Sequence, residues 1–187
     1  MPAQKIMIVR HAEKPSEDGK IVGVAADGRH DKEELIVRGW QRSGALVCLF
    51  APRDGKFVDQ RLARPRTIFA SAVGKHSNSL RPQHTVLELA TFLKLKLNLD
   101  HAKGDEAALV KDVLGAEGPV LIAWEHEAIP TIANGILGNS KSCPQKWPGA
   151  RFDLVWIFDR APGGWSFDQA PQLLLAGDSA EPIPRSA

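Results

Sequence analysis

Cysteine is scarce in this chain, and so is net charge. The two cysteines among 187 residues, Cys48 and Cys143, show no paired spacing of a zinc site or a redox motif. Two free thiols in a reducing cytosol are expected. The formal net charge is only +2 and the basic residues are scattered rather than striped, which argues against nucleic acid as a partner. No stretch approaches the run of ~20 apolar residues that a membrane span needs. The start, Met1-Pro2-Ala3-Gln4, offers no hydrophobic signal core. The expectation is a soluble, cytoplasmic protein that does not engage a membrane. With 43% hydrophobic residues at this length, one domain with a real core is implied.

What is present is concentrated in a few short runs. Ile6-Met7-Ile8-Val9 is four apolar residues in a row, ended by Arg10-His11-Ala12-Glu13-Lys14-Pro15. An unbroken apolar run suits a strand buried on both faces of a parallel sheet, and such strands present ligand groups at their carboxyl ends. Pro15 stops regular structure, so Arg10 to Lys14 is expected on a turn at the sheet edge. Val120-Leu121-Ile122-Ala123-Trp124 is a second such strand, followed by Glu125-His126-Glu127. Shorter strands are expected at Thr67–Ala70 and Leu95–Leu99, then at Asp153–Phe158, with Gln172–Leu175 as the last.

Helices alternate with these strands. Apolar spacing predicts them from near Leu35 to Pro52, from Leu80 to Leu93 with Ser79 as cap, from Asp105 to Leu114, and from Ile129 to Gly138. In the first, Val37, Trp40, Gly44, Val47 and Cys48 define the expected apolar face, with Arg38, Gln41 and Arg42 opposite. Between the first strand and first helix, residues 12–34 form a polar connection with seven acidic residues. Its length fits either a lid or a surface loop. The fold expected is α/β: a single three-layer domain over 1–177, with a mostly parallel central sheet and helices on both faces. Residues 178–187 are expected to form an irregular tail.

Two buried strands therefore each end in a histidine with charged neighbours, His11 and His126. Arg81 falls in the first turn of a helix, where free N–H groups and the helix dipole favour anions. Arg10 and Arg81 can hold a phosphate through planar, two-point hydrogen bonds. A neutral His11 can then attack phosphorus while the arginines and His126 stabilise the equatorial oxygens. Lys14 adds positive charge at the rim, or is a solvated turn lysine. His30, His76, His84 and His101 have no ligand spacing and are expected at the surface. Gly74-Lys75-His76 does not have the order of a nucleotide-binding loop.

These motifs together resemble the histidine phosphatase superfamily, which also contains phosphoglycerate mutases and acid phosphatases. The likeness rests on Arg10-His11-Ala12-Glu13-Lys14-Pro15, on Leu35 to Gly39, on Ser79-Leu80-Arg81-Pro82-Gln83-His84-Thr85 and on Val120 to His126, in that order. Ala12 and Val37 depart from the family's usual glycine and threonine, and no long cap domain is visible. The resemblance implies that His11 is transiently phosphorylated in a pocket completed by Arg10, Arg81 and His126, with no metal and no cofactor. The implied activity is hydrolysis of phosphomonoesters on a small molecule or a phosphoprotein.

A leaving alkoxide needs a proton donor nearby. Glu127, directly after His126, is the expected acid, with Asp100, Asp105, Glu106, Glu13 and Glu125 as alternatives. Three other functions compete with the hydrolase. They are a phosphate-binding protein without catalysis, a mutase-like phosphoryl transfer, and a metallohydrolase built on the two histidines. Arg10 and Arg81 would repel the cation that the last requires.

Overall fold

The two strands with unbroken apolar sequence lie side by side at the centre of one sheet. In a computed structural model describing residues 3–185, ten elements follow in chain order. They are β1 (Lys5–Arg10), α1 (Val37–Phe50), β2 (Thr67–Ala70), α2 (Arg81–Leu93), β3 (Leu97–Asn98), α3 (Glu106–Gly115), β4 (Val120–Trp124), α4 (Ile129–Leu137), β5 (Leu154–Ala161) and β6 (Gly164–Pro171). Among these residues the strand order is β3-β2-β4-β1-β5-β6. The first four strands are mutually parallel; β5 and β6 add an antiparallel edge. The sheet is thus mostly parallel, as its apolar strands require.

Period two divides those strands between two cores. Ile6, Ile8, Ile122, Trp124 and Trp156 pack with Leu109 and Val113 of α3 and Ile129 and Ile132 of α4. Met7, Val9, Leu121, Ala123 and Ile157 face Leu46 and Phe50 of α1 and Val86 and Leu89 of α2. Covering on both faces is what lets the sequence run without polar alternation.

The third strand is shorter than expected because Lys94 adopts a left-handed cap (φ 57°) and the Leu95 amide bonds back to Ala90. The last strand is β6, not Gln172–Leu175. Gly163 and Gly164 take positive φ and close a hairpin after β5, and Trp165 and Phe167 alternate with exposed Ser166 and Asp168. Leu173, with φ 49° and 58% exposed, interrupts the apolar run that suggested a strand there.

The inward face of α1 also differs from the expectation. Gly39, Arg42, Ser43, Leu46, Leu49 and Phe50 are buried, whereas Val37 and Cys48 are exposed. An arginine faces inward because two buried carboxylates meet it there. Gly39 is needed at the same contact: a Cβ would lie 2.6 Å from the Glu13 carbonyl oxygen.

Residues 178–185 have no regular secondary structure, yet they are tied down; 186 and 187 lie outside the described residues. Asp178 bonds Arg42, the Ser179 amide donates to Asp153, and Ile183 is buried in the core beneath β6. No helix among the described residues is long and apolar enough to cross a membrane.

Candidate active site

The pairing of β1 with β4 sets Arg10 opposite Trp124, and the His11 amide continues the ladder to the Trp124 carbonyl at 3.0 Å. The carboxyl ends of β1, β4 and β2 are therefore level. His11, Glu125-His126 and Ser71 emerge beside one another, at the edge where ligands of parallel sheets bind.

His11 is almost fully buried and its Nδ1 lies 2.7 Å from the carbonyl of Ala12. A carbonyl only accepts, so Nδ1 carries the proton and Nε2 keeps its lone pair. Ala12 is fixed in turn, its amide donating to Thr85 Oγ1 at 2.7 Å while Thr85 donates to the Arg81 carbonyl. Thr85 thus couples the turn after β1 to the first turn of α2. Burial, then Arg10, with Arg81 and His126 further down, push the His11 pKa well below the ordinary imidazole value.

Arg10 is buried to 1% exposure. Its Nη1 donates to the carbonyls of Gly149 (2.6 Å) and Arg151 (3.0 Å), and its guanidinium lies 3.8 Å from the centre of the Phe152 ring. Nε and Nη2 are buried with no partner among the described residues. Burial lowers its pKa to about 10, with Glu13 opposing. Arg81 donates Nη1 to the Lys32 carbonyl and leaves Nε buried without a partner; burial lowers its pKa too. Leu80, rather than Ser79, is the cap residue of α2; the Ser79 hydroxyl accepts from the Arg81 amide at 3.3 Å.

His126 Nε2 faces Gly149, where a Cβ would stand 3.8 Å away. Its pKa is lowered by burial, then by Arg10, with Lys14 contributing. Arg10, Arg81 and His126 thus each act on His11, and Arg10 acts on His126. Lys14 sits nearer the rim, 37% exposed and 3.9 Å from Glu17. No group of three or more His, Cys, Asp or Glu among the described residues is arranged to hold a metal ion.

The carboxylates separate sharply. Glu127, the acid expected from the sequence, has its side chain 65% exposed and accepts from Lys103 Nζ at 2.9 Å, which holds its pKa below the ordinary value. That is the reverse of what a proton donor needs. Glu13 receives Arg42 on both oxygens and Arg38 on one. Glu106 accepts from Gly104 N and Trp124 Nε1, Asp105 from Ala102 N, and Asp100 from Asn98. Glu125 alone of the six has neither oxygen engaged: both are buried without a partner, and burial raises its pKa.

Several contributors lay outside the sequence reading. Phe152 and the carbonyls of 149–151 come from a loop with no motif to mark it. Thr85 was visible within the Ser79–Thr85 run, but as part of a pattern rather than as a tether. His84 and His101 are not free surface groups. Glu34 Oε2 lies 2.6 Å from His84 Nδ1, and Asp112 Oδ2 lies 2.8 Å from His101 Nε2.

This sheet, with two arginines and two histidines collected at its carboxyl edge, has the histidine phosphatase fold. Solved structures carry the comparison. A phosphoserine phosphatase variant from Entamoeba histolytica, solved with phosphoserine, matches at 12% identity over 87% of this chain and 94% of that one, with a TM-score of 0.54. A mycobacterial glucosyl-3-phosphoglycerate phosphatase matches at 15% identity over 88% and 97%, TM-score 0.53. The alpha-ribazole phosphatase from Shigella flexneri matches at 10% over 88% and 94%, TM-score 0.51. No protein-family model and no curated protein matches the sequence.

Proposed function

We propose that this protein hydrolyses phosphomonoesters without a metal, through a phosphohistidine on His11. The observation that carries this reading is the buried His11 with Nδ1 tied to Ala12, beside two guanidiniums that keep buried N–H groups unpartnered. Unpaired buried donors are costly, and a phosphoryl group with three acceptor oxygens satisfies them. Arg10, Arg81 and His126 hold its charge, Lys14 attracts it at the rim, and Nε2 of His11 attacks phosphorus. That the three solved relatives above are phosphatases supports the same chemistry.

Rapid acid-free quenching of the protein with a phosphorus-labelled monoester tests the mechanism. An alkali-stable, acid-labile label on His11, formed equally well with chelator present, is the expected result. Tight binding of phosphate with no labelled protein would instead leave a binding protein.

Arg10→Lys separates a guanidinium clamp from simple positive charge. Lysine keeps the charge but loses the planar fork and the simultaneous reach to Gly149, Arg151 and a phosphate oxygen. The expected loss in kcat/KM is about 100- to 1,000-fold, the scale of one removed oxyanion donor. Steady-state kinetics with folding checked by circular dichroism would measure it.

A further inference from the structure

We infer that Glu125 is the proton donor to the leaving group, an assignment that rests on the phosphohistidine reading. The position argues for it first. Glu125 directly follows β4, one residue before His126, and the β1–β4 ladder carries His11 alongside. Arg81, from the first turn of α2, is close enough to feel its charge. Ser71 at the end of β2, Lys103 in the connection between β3 and α3, and Glu106 in α3 are near enough to act on it. Lys103 and Glu106 also line a surface cleft of about 540 Å³ with His76, Glu127 and Thr131. Glu125 thus acts on Arg81 on one side and is acted on by Lys103 and Glu106, two residues of the cleft's lining, on the other.

The environment argues for it second. A carboxyl with both oxygens buried and unpartnered is cheaper to keep protonated than charged, and the nearby Glu106 works in the same direction. Lys103 and Ser71 oppose this but do not win. Environments that push His11 down and Glu125 up widen the pH range in which the imidazole is neutral and the acid protonated.

The Nε2 lone pair of His11 forms the N–P bond while the P–O bond to the leaving group breaks. Its electron pair stays on oxygen, which takes the Glu125 proton. Water then attacks the phosphohistidine, its proton passes to the Glu125 carboxylate, and the N–P electron pair returns to Nε2. Ester and water become alcohol and phosphate, and both side chains are restored.

A true acid matters most when the leaving group is a poor one. Glu125→Gln is expected to lower kcat/KM for glycerol 2-phosphate by about 100- to 10,000-fold, and that for 4-nitrophenyl phosphate by less than about tenfold. The alkaline limb of the wild-type profile, where Glu125 loses its proton, is expected to disappear. Equal losses on both substrates, or an alkaline limb that survives, would overturn the assignment. So would a leaving-group-selective loss in Glu127→Gln. If Glu125→Gln does not fold, Glu125→Asp is read by the same criteria, with a smaller selective loss and a displaced limb expected. The labelled wild-type protein keeps the two readings apart. No phosphohistidine sinks the mechanism itself, whereas phosphohistidine with an unselective Glu125 variant sinks only the acid.

Discussion

His11→Ala is expected to reduce turnover of any phosphomonoester by about 10,000-fold or more, the scale seen when a nucleophile is removed. The variant should fold, because the imidazole makes one side-chain hydrogen bond, to its own neighbour's carbonyl, while the backbone amide that extends the β1–β4 ladder is untouched. Phosphate affinity should fall far less than turnover, since Arg10 and Arg81 keep their unpartnered N–H groups. Titration with inorganic phosphate and turnover assays on the same preparation make that distinction. Retained turnover in His11→Ala would remove His11 as the nucleophile and overturn the phosphohistidine mechanism.

The second large effect is on stability. Arg42 lies on α1, 2% exposed, with Nε and Nη2 on Glu13 and both terminal nitrogens on Asp178. Burial acts to lower its pKa, but the hydrogen bonds to Asp178 and Glu13 prevail and raise it. Arg42→Met leaves two buried carboxylates with only the more exposed Arg38 beside them. Breaking such a network costs about 3–5 kcal/mol, which for a chain of this size lowers Tm by roughly 10 °C.

The same network predicts an acid dependence. The Asp178 pKa is lowered, with burial opposing and Arg42 dominating. Its contribution is present above the ordinary carboxyl value of about 3.9 and is lost as pH falls through the lowered native value. Melting curves taken from pH 7 down to about pH 2 should show this acid-side loss in the wild type, and a flatter dependence in Arg42→Met. A Tm unchanged by the substitution would refute the role given to the network.

How much of this was legible depended on how strongly local sequence constrained each group. The strands ending in Arg10 and Trp124 were legible because burial on both faces leaves an unmistakable apolar run. The grouping of Arg10, His11 and His126 followed from them, since residues after parallel strands share one edge. Glu127 was preferred to Glu125, but local sequence offers no physical ground that separates the two. Beyond the last strand residue the two-residue period lapses, and only the folded chain decides which carboxyl is buried and which meets Lys103. Arg42 looked solvent-facing because an arginine turns inward only when carboxylates await it, here from positions 29 residues before and 136 after. The β6 hairpin was hidden by mixed polarity typical of an edge strand, while the run at Leu173–Leu175 gave a stronger but misleading apolar signal.

The carbonyls that hold Arg10 come from residues 139 and 141 positions later in the chain, and that loop is braced in its turn by Asp153 and the segment around Ser179. During synthesis His11 and Arg10 leave the ribosome well before the groups that aim the arginine. Closing so long a loop is slow and gains nothing until both ends meet. The proposed phosphoryl transfer should therefore be among the last properties to return on refolding, after helix content and the central strand pairs, so that recovered turnover reports closure of this long loop.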